Sequence, residues 1–271
     1  MTRLEKTFSL LKKAQKKAFV AFINSGDPDL LTSQQILENL PKNGVDIIEI
    51  GMAFSDPAAD GPVIEAASKR AIAAGITLAK TLQMLKTFRK INQTTPVILM
   101  GYYNPIFHYG LEKFAIDAAE SGADGILIVD LPCEEDGEFA QFTAENNLAL
   151  IKLIAPNSSE KRIKKIIDHS RGFVYLVSVF GITGTKAPDI KTNAAQIARI
   201  RNFTNLPIII GFGIKDFALA KKVAKLNIDG IVIGSALVSV IEQGLKNNLN
   251  REKIIQELLS QTAQFQTAIN Y

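Results

Sequence analysis

Eight short apolar segments recur along the chain, and amphipathic segments separate them. The apolar segments are rich in Ile, Val and Leu and lack regular polar alternation, a pattern typical of strands that are buried on both faces of a sheet. Most of them begin about 20–30 residues apart, which leaves room for a helix between consecutive strands. The eight segments are residues 19–23, 46–50, 96–100, 125–130, 148–154, 173–178, 206–212 and 229–234.

This alternation of strands and helices predicts a parallel sheet with right-handed crossovers. Eight such units favour a closed α/β barrel, the TIM (β/α)8 fold, over an open doubly wound sheet. An amphipathic N-terminal segment is predicted to form an extra helix that closes the bottom of the barrel. Residues 1–271 are predicted to form a single domain. The clearest predicted helices are residues 3–14, 33–44, 63–74, 110–122 and 216–227.

The net charge of +4 and the pI of about 9.0 come from Lys and Arg residues that are spread over helix-like segments. No basic run is interleaved with aromatic residues, so nucleic-acid binding is not expected, whereas a mild positive field suits an anionic small molecule. Cys133 is the only cysteine, which fits a reducing cytoplasm. No uncharged apolar run reaches the roughly 20 residues that span a bilayer, so no membrane association is expected.

Glycines follow three neighbouring predicted strands, in residues 181–185, 211–214 and 234–236. Glycine allows backbone amides to approach an anion closely, and a helix N-terminus adds partial positive charge. Many β/α barrels bind phosphate in the loops after strands seven and eight. The pattern therefore favours a phosphate site over ordinary turns, and its predicted members are Gly184, Gly213, Gly234 and Ser235.

Two carboxylates are candidates for acid–base chemistry. Glu49 is next to last in the second predicted strand, and Asp60 lies in the following loop. If Glu49 points inward, both reach the barrel mouth and can divide acid and base roles. From spacing alone a second reading stays open, in which Glu49 pairs with an inward-facing Lys152 and Asp60 caps the helix after Pro62.

The remaining candidates are weaker. His108 is predicted on a surface loop or helix start and His169 at a helix end, and neither they nor Cys133 indicate a metal site. Tyr102 or its neighbour is expected to line a pocket. Phe212 is expected to form a wall for a flat ring.

Two stretches with apolar residues beside prolines, residues 54–57 and 103–107, are predicted to form exposed loops at the active-site end. Such patches often mark interfaces. The alternative is that the loops pack on each other.

Several longer motifs, taken together, identify a family. The stretch EIGMAFSDPAADGPVIEAA (49–67) resembles the signature of the tryptophan synthase α subunit. The resemblance extends in order and spacing over nearly the whole chain. It includes the motifs SGDP (25–28), MGYYNPIF (100–107), ADGILIVDLP (123–132), RGFVYLVS (171–178), GITGTK (181–186), GFGI (211–214) and GSALV (234–238).

The resemblance implies a β/α-barrel lyase that performs the retro-aldol cleavage of indole-3-glycerol phosphate to indole and glyceraldehyde 3-phosphate. It also implies an α2β2 heterotetramer. In that assembly the partner β subunit carries pyridoxal phosphate and receives the indole through a tunnel, and this chain has no cofactor of its own.

By position, the resemblance assigns catalytic roles to Glu49 and Asp60 and places Tyr175 as an aromatic beside the substrate. It assigns the phosphate site to the four residues named above. It assigns the indole pocket and closing loop to Phe22, Met100, Tyr102, Leu127, Thr183 and Phe212.

The chain departs from the family pattern at noncatalytic positions, among them Ala53, Ala58 and Val179. These departures concern loop closure and partner contact rather than the reaction. Three alternatives stay open at this point: a stand-alone lyase that releases free indole, another phosphate-binding barrel such as a sugar-phosphate isomerase, and a noncatalytic subunit with the same fold.

Overall fold

The strands close into a barrel. The computed structural model describes residues 1–178, 190–211 and 213–270. Within these residues, eight parallel strands pair in chain order, and the last pairs with the first. The strands are β1 (Ala18–Asn24), β2 (Ile47–Gly51), β3 (Val97–Gly101), β4 (Gly125–Ile128), β5 (Ala149–Ile154), β6 (Val174–Val177), β7 (Ile208–Gly211) and β8 (Gly230–Ile233). The predicted barrel and all eight predicted strands are confirmed.

Helices follow the strands and surround the barrel, as the sequence pattern predicts. A short 3-10 helix, Pro41–Asn43, precedes β2. The α-helices of the described residues are α1 (Arg3–Lys13), α2 (Leu30–Asn39), α3 (Pro62–Ala73), α4 (Leu78–Arg89), α5 (Tyr103–Tyr109), α6 (Leu111–Ser121), α7 (Gly137–Glu145), α8 (Glu160–Asp168), α9 (Ile190–Arg201), α10 (Phe217–Val223), α11 (Ser235–Lys246) and α12 (Arg251–Asn270).

Side chains alternate between two cores along each strand. One core fills the barrel interior and includes Val20, Ile47 and Ile98. The other lies between the strands and the helices and includes Ile48 and Leu99. Because both faces of the sheet are covered, the strands carry apolar residues at nearly every position.

Helix α1 closes the bottom of the barrel, as predicted. It begins with a capping box between Thr2 and Glu5. Leu4 is buried in the interior core, and the ring of Phe8 packs edge-on against Phe173 at 6.1 Å. The helix therefore covers the ends of the strands that lie opposite the active-site end.

Three aspartates tie the bottom of the barrel together. Asp46, Asp124 and Asp229 each come directly before an even-numbered strand. Each accepts a backbone amide from the preceding odd-numbered strand, at the residues Phe19, Val97 and Ile208, and each N–O distance is 2.8 Å. These hydrogen bonds fix how neighbouring strands start relative to each other.

One predicted loop is wrong. Residues 103–107 were expected to form an exposed loop, but they belong to helix α5. Pro105 lies in the first turn of that helix, where a missing backbone N–H leaves no hydrogen bond unmade. Proline in this stretch therefore marks the start of a helix rather than a loop.

Among the described residues, no helix combines the length and apolar composition required to cross a membrane.

Candidate active site

Glu49 points into the barrel. It alternates with the inward-facing Ile47 on β2, and its register partners are Phe22 on β1 and Ile98 on β3. The residue is completely buried, and neither carboxyl oxygen has a hydrogen-bond partner among the described residues. A buried carboxyl without a partner destabilises its own ionised form. Burial accordingly raises the pKa of Glu49 to about 8.

The alternative pairing of Glu49 with Lys152 is excluded. Lys152 lies on the outer face of β5, between inward-facing Ile151 and Leu153. Its Nζ lies 2.5 Å from Oδ2 of the buried Asp136, at the start of α7. The expectation that this lysine points inward was therefore wrong.

Asp60 lies in the loop that joins β2 to α3. The backbone N–H of Asp60 donates to the Pro57 carbonyl at 3.0 Å, which turns the chain back toward the barrel. Gly61 is the N-cap of α3, and no side chain caps this helix. The alternative role of Asp60 as a helix cap is therefore excluded, and its carboxyl is available for another function.

The surroundings of Asp60 raise the pKa of its carboxyl but leave it mostly ionised at neutral pH. Burial raises the pKa of Asp60 to about 6, hydrogen bonding from the Tyr102 hydroxyl opposes the rise, and the charge of Glu65 adds to it. Asp60 is half-buried whereas Glu49 is fully enclosed. The two carboxyls thus differ in proton affinity, as a division of acid and anion roles requires.

Tyr175 occupies the interior on β6. It is 2% exposed, and burial together with the negative charge of Glu49 raises the pKa of its hydroxyl well above the usual value. A Cβ atom at Gly211 would lie 2.0 Å from the Tyr175 hydroxyl oxygen, so the ring needs a glycine on the neighbouring strand. Tyr175 therefore remains a neutral phenol beside Glu49.

The predicted indole-pocket residues that the structure describes are buried side chains of the interior core or its mouth. Met100 and Leu127 lie in register on β3 and β4, and Tyr102 follows β3. The Phe22 ring tip lies over Gly51, and its Cβ lies close to Gly234. These apolar side chains include residues from both strands that flank β2, the strand of Glu49.

The predicted phosphate residues are partly described. Gly213 has a φ of 76°, a left-handed conformation that favours glycine. Gly234 is the N-cap of α11 and Ser235 its first residue, and no acidic residue lies in the first turn. The first amides of a helix lack intrahelical partners and suit an anion, although the Leu237 N–H in this turn already donates to the Gly234 carbonyl at 2.9 Å. The predicted residues Thr183, Gly184 and Phe212 lie outside the described residues.

Sequence reasoning missed two residues at the barrel mouth. Asn24 lies two positions after the inward-facing Phe22. Because every second side chain of a strand faces the same side, this spacing is the sequence signal that could have identified it. Its Nδ2 donates to the Ser68 hydroxyl of α3 at 2.9 Å, and both side chains are buried. Gly211 was quoted only as part of a glycine motif, and no sequence pattern indicates its contact with Tyr175.

The arrangement can move protons beside an apolar pocket. A neutral acid, an aspartate that ionises near pH 6 and a helix N-terminus meet at the carboxyl ends of the strands. Among the described residues, no group of three or more His, Cys, Asp or Glu side chains is arranged to hold a metal ion.

Comparison with known proteins supports the same reading. The sequence model of the tryptophan synthase alpha chain family matches residues 8–270. A tryptophan synthase alpha chain from Geotalea daltonii is 48% identical over 243 residues, which are 90% of this chain and 91% of that protein.

Solved structures of similar proteins match this chain over nearly its full length. The crystal structure of tryptophan synthase alpha chain from Legionella pneumophila is 35% identical, has a TM-score of 0.90, and is matched over 99% of this chain and 97% of that chain. A chain in the aminoacrylate-bound form of tryptophan synthase from M. tuberculosis is 27% identical, has a TM-score of 0.87, and is matched over 100% of both chains.

These matches cover the barrel from α1 to α12 and exclude the alternative of an unrelated sugar-phosphate barrel. The chain therefore belongs to the tryptophan synthase alpha chain family, the lyases that cleave indole-3-glycerol phosphate in tryptophan biosynthesis.

Proposed function

We propose that Glu49 and Asp60 carry out the cleavage of indole-3-glycerol phosphate to indole and glyceraldehyde 3-phosphate. One observation carries this assignment: Glu49 is a completely buried carboxyl, without a hydrogen-bond partner among the described residues, inside the mouth of the barrel. A group held in this way is unfavourable for stability and is retained where chemistry needs it.

Glu49 acts first as an acid and then as a base. Indole is a poor leaving group as a carbanion, so the neutral Glu49 carboxyl first protonates indole C3. The carboxylate so formed accepts the proton of the adjacent side-chain hydroxyl as the C–C bond breaks. The hydroxyl carbon becomes the aldehyde, the bonding electron pair returns to the ring, and Glu49 is again neutral. Each such proton transfer typically contributes about 10²–10⁴-fold in rate.

Asp60 stabilises the charge that develops on the ring. Protonation at C3 makes the ring nitrogen positive, and an ionised carboxyl that accepts its N–H favours this state over the neutral substrate. With a pKa of about 6, Asp60 is mostly ionised at neutral pH while Glu49 is mostly neutral. Tyr175, a neutral phenol beside Glu49, forms part of the substrate wall.

The two ends of the substrate bind at different parts of the mouth. The apolar side chains of Phe22, Met100 and Leu127 pack against the indole ring, with Phe212 completing the wall. The phosphate binds to backbone amides at Gly213, Gly234 and Ser235. We also assign Gly184 to the phosphate and Thr183 to the loop that closes over the substrate.

Two isosteric variants test the assignment. Glu49→Gln is expected to abolish cleavage while the substrate still binds, because the amide keeps the shape but cannot transfer the proton. Asp60→Asn is expected to be similarly or slightly less damaging. Indole release from indole-3-glycerol phosphate is the measurement, and binding is measured by calorimetry. Turnover at the wild-type rate by either variant would contradict the proposed roles.

The partner is proposed to be a tryptophan synthase β subunit that carries pyridoxal phosphate, in an α2β2 assembly, with no cofactor in this chain. The exposed ring of Phe107 and the exposed Asp56 lie at the active-site end and support an interface there. In this proposal, partner binding orders the loops after β2 and β6 and seats Asp60 and Thr183. Indole release measured with and without the β subunit tests the proposal, and equal rates would exclude it in favour of a stand-alone lyase.

A cytoplasmic location is also proposed. Cys133 is the only cysteine of the sequence and is buried, so no disulfide within the chain is needed, which suits a reducing compartment.

A further inference from the structure

The hydroxyl of Tyr102 lies where the loop that carries Asp60 returns to the barrel. The residue directly follows β3, and its side chain reaches across to the loop between β2 and α3. The backbone N–H of Ala59 donates to the Tyr102 hydroxyl oxygen at 3.1 Å. The rings of Tyr102 and Phe54 are 5.6 Å apart, so the loop contacts this tyrosine near both of its ends.

The Ala59 amide fixes the direction of the hydroxyl. A backbone N–H can only donate, so the hydroxyl oxygen is the acceptor in that hydrogen bond. The single proton of the hydroxyl is then free to point elsewhere, and the next residue along the loop, Asp60, carries the carboxyl whose pKa this hydroxyl lowers. A carboxylate can accept this proton, whereas a protonated carboxyl gains less from it.

We propose that Tyr102 is a positioning residue, whose hydroxyl accepts from the Ala59 amide and donates to Asp60 and thereby holds the Asp60 carboxyl ionised and facing the pocket. This role differs from that of the Tyr102 ring, which lines the indole pocket. It rests on the proposed role of Asp60 as the anion that stabilises the positive ring nitrogen. Residues 52–61 need such an anchor because four of the residues before Asp60, and Gly61 after it, are exposed.

The charges around Asp60 agree with this role. Burial is the main cause that raises the pKa of Asp60, and the Glu65 charge, from α3, acts in the same direction. The Tyr102 hydrogen bond is the cause that lowers it. Asp130, in the loop after β4, faces Tyr102 and helps to keep its hydroxyl protonated. Removal of the hydroxyl therefore leaves the burial and the Glu65 charge unopposed.

The test is Tyr102→Phe in the assembled enzyme with its β subunit, which keeps the ring and removes the hydroxyl. We expect the acidic limb of the pH profile of kcat/KM to move up by about one pH unit, so that kcat/KM falls about tenfold at pH 5 and about twofold at pH 7. The KM is expected to change by less than about twofold, because the ring against the substrate remains. Circular dichroism and the thermal midpoint confirm that the variant is folded.

Tyr109→Phe is the matched control. The Tyr109 hydroxyl also contacts a carboxylate, Oδ2 of Asp117 at 2.6 Å, but this pair lies between α5 and α6, outside the site. Its pH profile should match that of the wild type. A Tyr102→Phe variant with an unshifted acidic limb overturns the proposal, whether kcat is unchanged or falls equally at all pH values.

Measurements on the Asp60→Asn variant, alone and combined with Tyr102→Phe, distinguish a failure of this inference from a failure of the proposed role of Asp60. If Asp60→Asn keeps wild-type turnover, the proposed role of Asp60 fails, whatever Tyr102→Phe does. If Asp60→Asn removes most of the activity, Tyr102→Phe should add no further loss in that background, because the hydroxyl acts through Asp60. An additive loss of activity in the double variant would show that the hydroxyl acts on the substrate directly. That result would overturn the positioning role.

Discussion

Glu49 holds a proton that the unfolded chain would release at neutral pH. Its carboxyl has an ordinary pKa of 4.5, and burial raises this value to about 8 in the folded chain. Between these two pH values the folded chain binds a proton that the unfolded chain does not. The free energy of unfolding therefore falls as the pH rises through this window.

This linkage predicts that Glu49→Gln stabilises the protein while it abolishes cleavage. The amide is neutral at every pH, so the variant is expected to have wild-type stability near pH 4.5. It is expected to exceed the wild type by roughly 2–5 kcal/mol at pH 8. Urea denaturation at the two pH values measures the difference. Glu120→Gln, on the exposed face of α6, is the control, and a constant difference between the two pH values would refute the linkage.

For single residues, the sequence predicts the position in the barrel better than it predicts the contacts of the side chain. The position of Glu49 near the end of β2 is enough to place it at the barrel mouth. The direction of Lys152 is not evident from its segment, because that segment is apolar on both faces and has no polar alternation to indicate the inner side. The contacts of Asp60 cannot be predicted either. A contact between a loop and the strand that follows it is not marked by any regular spacing of residues in the sequence.

Among the elements, α1 and the end of α12 both lie at the barrel bottom. Leu4 enters the interior core, and the Lys17 backbone N–H, between α1 and β1, donates to Oδ1 of Asn270 at the end of α12 at 2.9 Å. These contacts support the proposal that residues 1–271 form one domain.

The packing of α1 predicts unequal effects of two leucines on one helix. Leu4 is 2% exposed and Leu10 is 65% exposed. Leu4→Ala is expected to lower the free energy of unfolding by roughly 2–5 kcal/mol, whereas Leu10→Ala should change it by less than about 0.5 kcal/mol. Chemical denaturation measures both. Equal effects would show that α1 does not close the barrel, and kcat should be unchanged in either variant, because the chemistry lies at the opposite end.

The eight strands are predictable because parallel strands covered on both faces need continuous apolar runs. Helix α5 is not predictable in the same way, because its proline and its exposed aromatic ring, Phe107, are also typical of a loop. The aspartates before β2, β4 and β8 show a similar limit. Asp46, Asp124 and Asp229 read as ordinary polar residues at strand starts, and their shared contact with the preceding strand is evident only once the register is known.

At the scale of the whole molecule, the contacts that close the barrel and the proposed catalytic residues lie at opposite ends. The bottom is closed by α1 and by the three aspartates, while Glu49, Asp60 and Gly234 lie at the top. Exposed apolar side chains occur at both ends, with Phe107 at the top and Ile91 at the bottom. Only the first is expected to contact the β subunit.

This geometry predicts that Phe107→Ala weakens binding of the β subunit. The side chain is 59% exposed, and burial of an aromatic ring at an interface typically contributes about 1–3 kcal/mol, so the Kd should rise roughly 5–150-fold. Ile91→Ala, at 64% exposure, is the matched control and should leave the Kd unchanged. Isothermal titration with the β subunit distinguishes them. An equal effect of the two substitutions would place the interface elsewhere.

Phe22 joins the two ends of the proposed substrate site through a single side chain. Its ring tip rests over Gly51, two residues past Glu49, and its Cβ lies beside Gly234, where α11 starts. If Glu49 transfers the proton and the start of α11 binds the phosphate, as proposed, one benzyl group sets the distance between the two. An analogue with one carbon more or fewer between ring and phosphate is then expected to fit at one end only.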